Sequence, residues 1–226
     1  MQIRHFASIM ILATISLPAF AQSHFKHVKG RIESFDGTIL RVASIGGTSE
    51  SLIVPSDARI TYNKSAVLTD IKPGDFVASG GATATDGRIH AKEVRIFPAA
   101  MAGLGEGQYP MTAAKSSMTN ATVSAVSTGG TVSAGGDSGT LKMTFHGSTP
   151  AGGGTCTGHA APGGTGCTGT TEIVVDKDIP ITALFMGDRS LLKKGEAVSA
   201  LVTAGADGKS MAPFLTVEKD GVKPIM

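Results

Sequence analysis

Tryptophan is absent from the 226-residue chain and tyrosine occurs only twice. Aromatic platforms on which bases or sugar rings could stack are therefore almost missing. The formal net charge is +2, and it falls to about +1 once Arg4 is removed with the leader described below; so small an excess gives no electrostatic footprint for nucleic acid or anionic lipid. Cysteine also occurs only twice. The absence of Cys-x-x-Cys excludes a thioredoxin-like redox pair, and the absence of Cys-x-x-Cys-His excludes haem attachment. No carboxylate pair is spaced in a way that indicates acid and base chemistry. After the first 23 residues no run approaches the roughly 18 apolar positions that a spanning helix needs, so no membrane insertion is expected.

What is present begins with MQIRHFASIMILATISLPAFAQS. Arg4 and His5 precede an apolar run from Phe6 to Leu17, and Ala19-Phe20-Ala21 supplies small residues at a cleavage position. This is the order of a secretory signal peptide. Residues 1–21 are read as that peptide, with cleavage leaving Gln22 to Met226 in the periplasm or outside the cell.

Glycine, at 30 of 226 residues, together with abundant Thr, Ser and Val, suits short strands joined by tight turns. An internal repeat organises them. Ile53 to Ile96 aligns without a gap on Val174 to Val217, at an offset of 121 positions. Asp57 falls on Asp178, Lys72 on Lys193, Gly74 on Gly195, and Asp86-Gly87 on Asp207-Gly208. Upstream the offset shrinks: Leu40 meets Leu141 at 101, and Gly30 meets Ala121 at 91. The alternation from Val28 to Phe35, the Asp36-Gly37 turn and the Lys72-Pro73-Gly74-Asp75 turn mark a β unit of five or six strands. The predicted fold class is thus all-β, two tandem OB-like Greek-key barrels related by internal duplication. The first spans 25–97, a Gly/Ala/Pro linker spans 98–117, and the second spans 118–222 with an insertion at 147–171.

The segments VKGRIESFDGTILRV, DIKPGDFV, VRIFPAAMAGLGEG, SSMTNATV and EKDGVKPIM resemble a family of exported bacterial proteins that carry one or two OB-like domains of unknown function. Two-copy members often bear the label metal ABC transporter permease, which a chain without a spanning helix cannot justify. The resemblance implies the fold and the exported location, and it carries no functional residues.

The insertion holds GGGTCTGHAAPGGTGCTG, residues 152–169. Such a run has little apolar material to order it. In an oxidising compartment Cys156 and Cys167 are expected to pair, and closing a loop of this size contributes roughly 3 kcal/mol in the chain-entropy picture. The competing reading makes Cys156, His159 and Cys167 ligands for zinc or copper, with His146 nearby. A second candidate metal site is the new amino terminus, where Gln22, Ser23 and His24 would offer an amine, backbone nitrogens and an imidazole to Cu(II) or Ni(II), with His27 close by.

Other patterns have plainer readings. Gly136-Asp137-Ser138-Gly139 copies a protease nucleophile signature, but no accompanying His motif precedes it, and an ordinary turn accounts for it. Gly103-x-Gly105-x-Gly107 lacks the β-α unit of a phosphate-binding loop. The seven methionines after the leader, Met101, Met111, Met118, Met143, Met186, Met211 and Met226, are scattered without a Met-x-x-Met run, as core or interface filling would have them.

The function expected from these residues is a non-enzymatic periplasmic binding or adaptor protein, with no cofactor and with an unknown protein or polymer as partner. The alternative is a periplasmic copper- or zinc-binding protein. Thiol titration separates the two readings of the cysteines. Exported protein should show no free thiol before reduction and two after it, whereas two free thiols at the outset would indicate ligands.

Overall fold

The computed structural model describes residues 26–111, 113–129, 138–148, 159–160, 166–205 and 208–224. They form fourteen strands and three short 3-10 turns, with no α-helix among the described residues. The strands are β1 (Lys26–Phe35), β2 (Ile39–Ser44), β3 (Ser49–Ile53), β4 (Arg59–Ala66), β5 (Phe76–Thr83), β6 (Ile89–Ile96) and β7 (Gly107–Pro110). They continue with β8 (Ser116–Thr128), β9 (Gly139–Ser148), β10 (His159–Ala160), β11 (Gly166–Val175), β12 (Ile181–Met186), β13 (Ala197–Ala204) and β14 (Ser210–Val217).

One sheet runs through the described residues and closes on itself at both ends. At one end β1, β2, β3, β14 and β13 form a ring, completed by a parallel contact between Ile53 and Met211. At the other end β8, β9, β11, β6 and β5 form a second ring, completed where Ile173 and Val174 run parallel to Ile89 and His90. Between them β12 pairs with β6, β4 with β14, and β4 with β12. Closure matters because an open sheet would leave edge strands with unpaired backbone groups.

Each ring fills its interior from alternate positions along its strands, the side-chain period of a pleated strand. In the first ring Val28 and Ile32 of β1, Leu40 and Val42 of β2, and Leu52 of β3 point inward. They meet Val198 of β13 and Leu215 of β14. In the second ring Val77 and Val94 of β5 and β6 pack with Val123, Leu141, Phe145 and Ile173.

The chain is all-β, yet neither ring is built from one contiguous segment. The expected boundaries, 25–97 and 118–222, therefore require correction: the first ring takes β13 and β14 from the carboxy-terminal half, and the second takes β5 and β6 from the amino-terminal half. The exchange occurs along β4 and β12. β4 contributes Ile60 to the first core, then leads to Leu68 and Ile71 in the second core. β12 contributes Ile181 to the second core, then leads to Leu192 in the first. Backbone hydrogen bonds fix the assignment. Gly74, at a φ of +95° that favours glycine, donates its N–H to Val123 O at 2.8 Å and not to Ile32. Gly195, at +93°, donates to Ile32 O at 2.8 Å.

The pairings recur at the offsets read from the sequence. Gly30 pairs with Val198 and Ala121 with Val77; Leu40 pairs with Leu52 and Leu141 with Ile173. At the crossing itself Asn63 pairs with Leu184, the position 121 residues further on. A local two-fold axis therefore passes through that pair.

The expected linker also differs. Residues 98–117 include a 3-10 turn at Ala99–Met101, the strand β7 and the start of β8. β7 lies against β8, where buried Gln108 donates from Nε2 to Thr119 Oγ1 at 2.9 Å and to Thr171 Oγ1 at 3.3 Å. The expected insertion is likewise partly strand: the β9–β11 ladder runs on to Ser148 and Gly166, and β10 pairs with β11.

Exchange has a measurable consequence. Leu192→Ala should cost about 2–5 kcal/mol, as for other buried leucines. It should accelerate amide hydrogen exchange in β1–β3 while leaving β8 and β9 protected. Faster exchange confined to β8–β11 would mean that the carboxy-terminal half closes its own ring.

Candidate functional site

The crossing leaves space between the outer faces of the two rings. On β4 and β12 the pairs Thr61–Met186, Asn63–Leu184 and Ser65–Thr182 alternate with pairs facing the other way. Thr61 and Leu184 line a cavity of about 480 Å³ that opens on one side. From the first ring it receives Ser199 and Leu201 of β13, Phe214 to Thr216 of β14, and His27 of β1. From the second ring it receives Arg95 of β6 and then Phe97, Met101, Leu104 and Gly105. The volume lies within the range of ordinary small-ligand pockets, which are mostly apolar with a few placed polar groups.

The turn carrying Leu104 depends on its glycines. Gly103 and Gly105 adopt φ of +81° and +60°, and a side-chain carbon on Gly107 would collide with the Tyr109 ring at 2.6 Å or less. The Tyr109 hydroxyl donates to Glu106 O, and Asn120 Nδ2 donates to Gly105 O at 2.8 Å. The Gly-x-Gly-x-Gly pattern thus shapes one wall of the cavity.

Polar groups divide between floor and rim. Thr61, 4% exposed, donates to Leu215 O at 3.1 Å and lies 3.0 Å from Thr216 Oγ1. Arg95 is 8% exposed, and burial pulls its pKa below the ordinary arginine value while the charge of Glu93 acts in the opposite sense. Glu93 is half-buried, and burial raises its carboxyl pKa against the influence of Arg95 and Lys29. At the rim Arg59 is exposed, with its guanidinium carbon 5.7 Å from the centroid of Phe214. His27 is also at the rim, where partial enclosure and then the charge of Lys29 lower its pKa and favour the neutral ring.

Of the candidate metal ligands singled out in the sequence, His27 alone lies at this cavity, together with Gly105 of the glycine pattern and Met101. Gln22, His24 and Cys156 lie outside the described residues. His146 is exposed on β9, where its N–H donates to Glu106 Oε1 at 3.0 Å and its ring Nδ1 lies 3.6 Å from the same oxygen. Along the ladder Thr168 pairs with both His146 and His159, while Cys167 pairs with Gly147 and Ala160. Among the described residues no three His, Cys, Asp or Glu side chains form a group able to hold a metal. No described helix is long and apolar enough to cross a membrane.

The sequence reading did not bring the cavity residues together, because they come from stretches as far apart as His27, Arg59, Arg95, Leu184, Ser199 and Phe214. It also missed a surface cluster around His90. There Nδ1 lies 2.6 Å from Asp176 Oδ2, and Nε2 lies 3.1 Å from Asp86 Oδ2. This bridge ties the β5–β6 hairpin to the segment between β11 and β12. Family profiles, curated proteins and solved structures were compared with the chain, and none matches it.

The bridge gives a pH dependence with a defined sign. Hydrogen bonds to Asp176 and then Asp86 raise the His90 pKa above 6.5. Its contribution is therefore fully present below 6.5 and is lost as pH rises through the raised value. Asp86 has a lowered pKa, so its contribution is present above 3.8 and is lost in acid. Thermal melts should show His90→Gln losing stability relative to wild type near pH 6, with the difference shrinking as pH rises. A difference that grows with pH would show that the bridge does not act through imidazolium.

Proposed function

We propose that the chain is the precursor of an exported, non-enzymatic binding protein that holds a small, largely apolar ligand between two β rings. The observation that carries this reading is the 480 Å³ cavity, walled by Phe97, Leu184, Leu201 and Phe214 and opening on one side. Apolar walls of this kind are costly to leave facing water, and a ligand that covers them recovers roughly 25 cal/mol per Å² of area removed from water. Covalent chemistry is not required to explain the site.

On this reading each ring is an OB-like unit. Three hairpin-connected strands are followed by a two-strand hairpin inserted in reverse order, which is Greek-key closure. The two units descend from one by duplication, followed by exchange of their last two strands. The recurrence of pairings at offsets of 91, 101 and 121 supports that descent, as does the resemblance to exported OB-like proteins. Removal of the leader at residues 1–21 would deliver the protein to the periplasm or the medium. Loops at the two ring ends remain available to a protein or polymer partner.

A second reading, binding of copper or zinc, has one observation in its favour. Because Thr168 pairs with both His146 and His159, the two histidines stand at one level of the β9–β11–β10 ladder. Free thiols in the exported protein would strengthen it, since thiolates are the ligands that copper and zinc prefer.

An apolar fluorophore, N-phenylnaphthylamine, tests the cavity. Wild type should bind it at one saturable site with enhanced emission. Leu201→Trp, which projects a bulky ring into the space, should weaken binding at least tenfold without lowering the melting temperature by more than a few degrees. Equal binding to both proteins would place the fluorophore elsewhere and remove the cavity from the proposal.

A further inference from the structure

Within that binding reading, on which this step rests, we propose that the ligand is an amphipathic monocarboxylate. Its acyl chain would lie against Phe97, Leu184, Leu201 and Phe214, and its carboxylate would face Arg95.

The argument begins with the sign of the charge. The lining includes His27, Arg59 and Arg95, and no Asp or Glu among the described residues that form it. The chain as a whole is nearly balanced, with 20 Lys and Arg against 18 Asp and Glu. That the charged side chains of the lining are all basic is therefore a local property and does not follow from composition. It favours an anion over a neutral molecule and opposes a cation.

The position of each basic group narrows the head group. Arg95 is the buried one, and its planar guanidinium suits a carboxylate better than a point charge would. Glu93, two residues earlier on β6, already acts on Arg95, yet it lines a separate, smaller cavity with Gly80, Lys92 and Met111. Among the described lining residues Arg95 is the one buried cation, and a single guanidinium matches one negative charge better than the two of a phosphate monoester. Of the lining hydroxyls, those of Thr61 and Thr216 are engaged with each other.

The apolar walls narrow the rest of the molecule. A sugar or nucleoside needs hydrogen-bonding partners along several edges. Phe97, Met101, Leu104, Leu184, Leu201 and Phe214 instead supply an apolar lining. The cavity is also one-sided with respect to the two-fold axis. Gly80 occupies the position equivalent to Leu201, and Glu93 the position equivalent to Phe214, each at the offset of 121. The same place on the second ring thus lacks the apolar walls, and one ligand per chain is expected.

Displacement of the bound fluorophore by decanoate, decanol and decylammonium tests the assignment on the full exported protein. Decanoate should bind at least tenfold more tightly than decanol, and decylammonium should bind most weakly, at a stoichiometry of one. Arg95→Met should bind decanol as wild type does and lose the preference for decanoate; Arg95→Lys should retain part of it. Should Arg95→Met fail to fold, Arg59→Met at the exposed rim and the wild-type preference itself still decide the matter. Equal affinity for decanoate and decanol, or tighter binding of decylammonium, would overturn the monocarboxylate while leaving an apolar cavity. Failure of the fluorophore to bind wild type would overturn the cavity reading itself.

Discussion

Everything in this molecule depends on six backbone pairs, from Ala66–Ile181 to Thr61–Met186, where β4 and β12 run antiparallel through the centre. A β unit that closed on itself and one that lends its last hairpin to a neighbour would make almost the same contacts inside each ring. What differs is the hinge. When β4 turns back, its backbone groups face water; when it runs straight, they pair with β12. The ladder is reinforced on one side by Tyr62 stacked on Phe185 at 5.6 Å, with Lys64 4.7 Å over Phe185 and Lys219 4.0 Å over Tyr62. Exposed contacts of this type contribute about 0.5–1 kcal/mol each, small individually but confined to the exchanged form.

Exchange between two separate chains would carry the cost of association. Here both partners belong to one chain, so the connection through residues 98–115 supplies a high effective concentration. Reciprocity is then enforced by detail at the ring junctions. Arg189, just beyond β12, donates to the carbonyls of Gly37, Val54 and Pro55 and lies 5.7 Å from the centroid of Phe35. It therefore clamps the turns of the first ring, which the amino-terminal half built. Its counterpart 121 positions earlier is Leu68, 1% exposed in the second core. The same structural position thus uses three hydrogen-bonded carbonyls at one end and apolar burial at the other.

Much of this was legible in the sequence. Turn glycines, the Asp-Gly hairpins and the alternating apolar positions mark the strands correctly, since each is dictated locally by backbone freedom or by the two faces of a strand. The offset of 121 was legible for the same reason, and it reappears in the strand registers. Exchange was not legible. Leu192 and Ile71 need a β-ring core to enter, and nothing in their spacing says whose. The pattern is identical whether Gly74 docks on Ile32 or on Val123, because the partner is chosen by the path of β4 and not by the residues that dock. The extent of β9 and β11 was underestimated because Thr and Gly at 166–171 read as loop, whereas pairing with Met143 to Ser148 holds them in a ladder.

The candidate site was hidden for a deeper reason. A catalytic motif gathers its residues within a few positions, but a cavity between exchanged rings collects single residues from strands far apart in the chain. His27 stood out only as a possible metal ligand, and its place at the rim comes from β1 pairing with β13, where His27 meets Leu201 174 positions further on. Arg95 gave no signal at all, being one arginine on an alternating strand whose outward face would ordinarily meet water. Crossing of the rings turns that outward face into an interior one and buries a charge that a lone barrel would leave solvated. The cavity and the exchange therefore stand together: separating the rings would return Arg95 to solvent and remove the wall opposite Phe214.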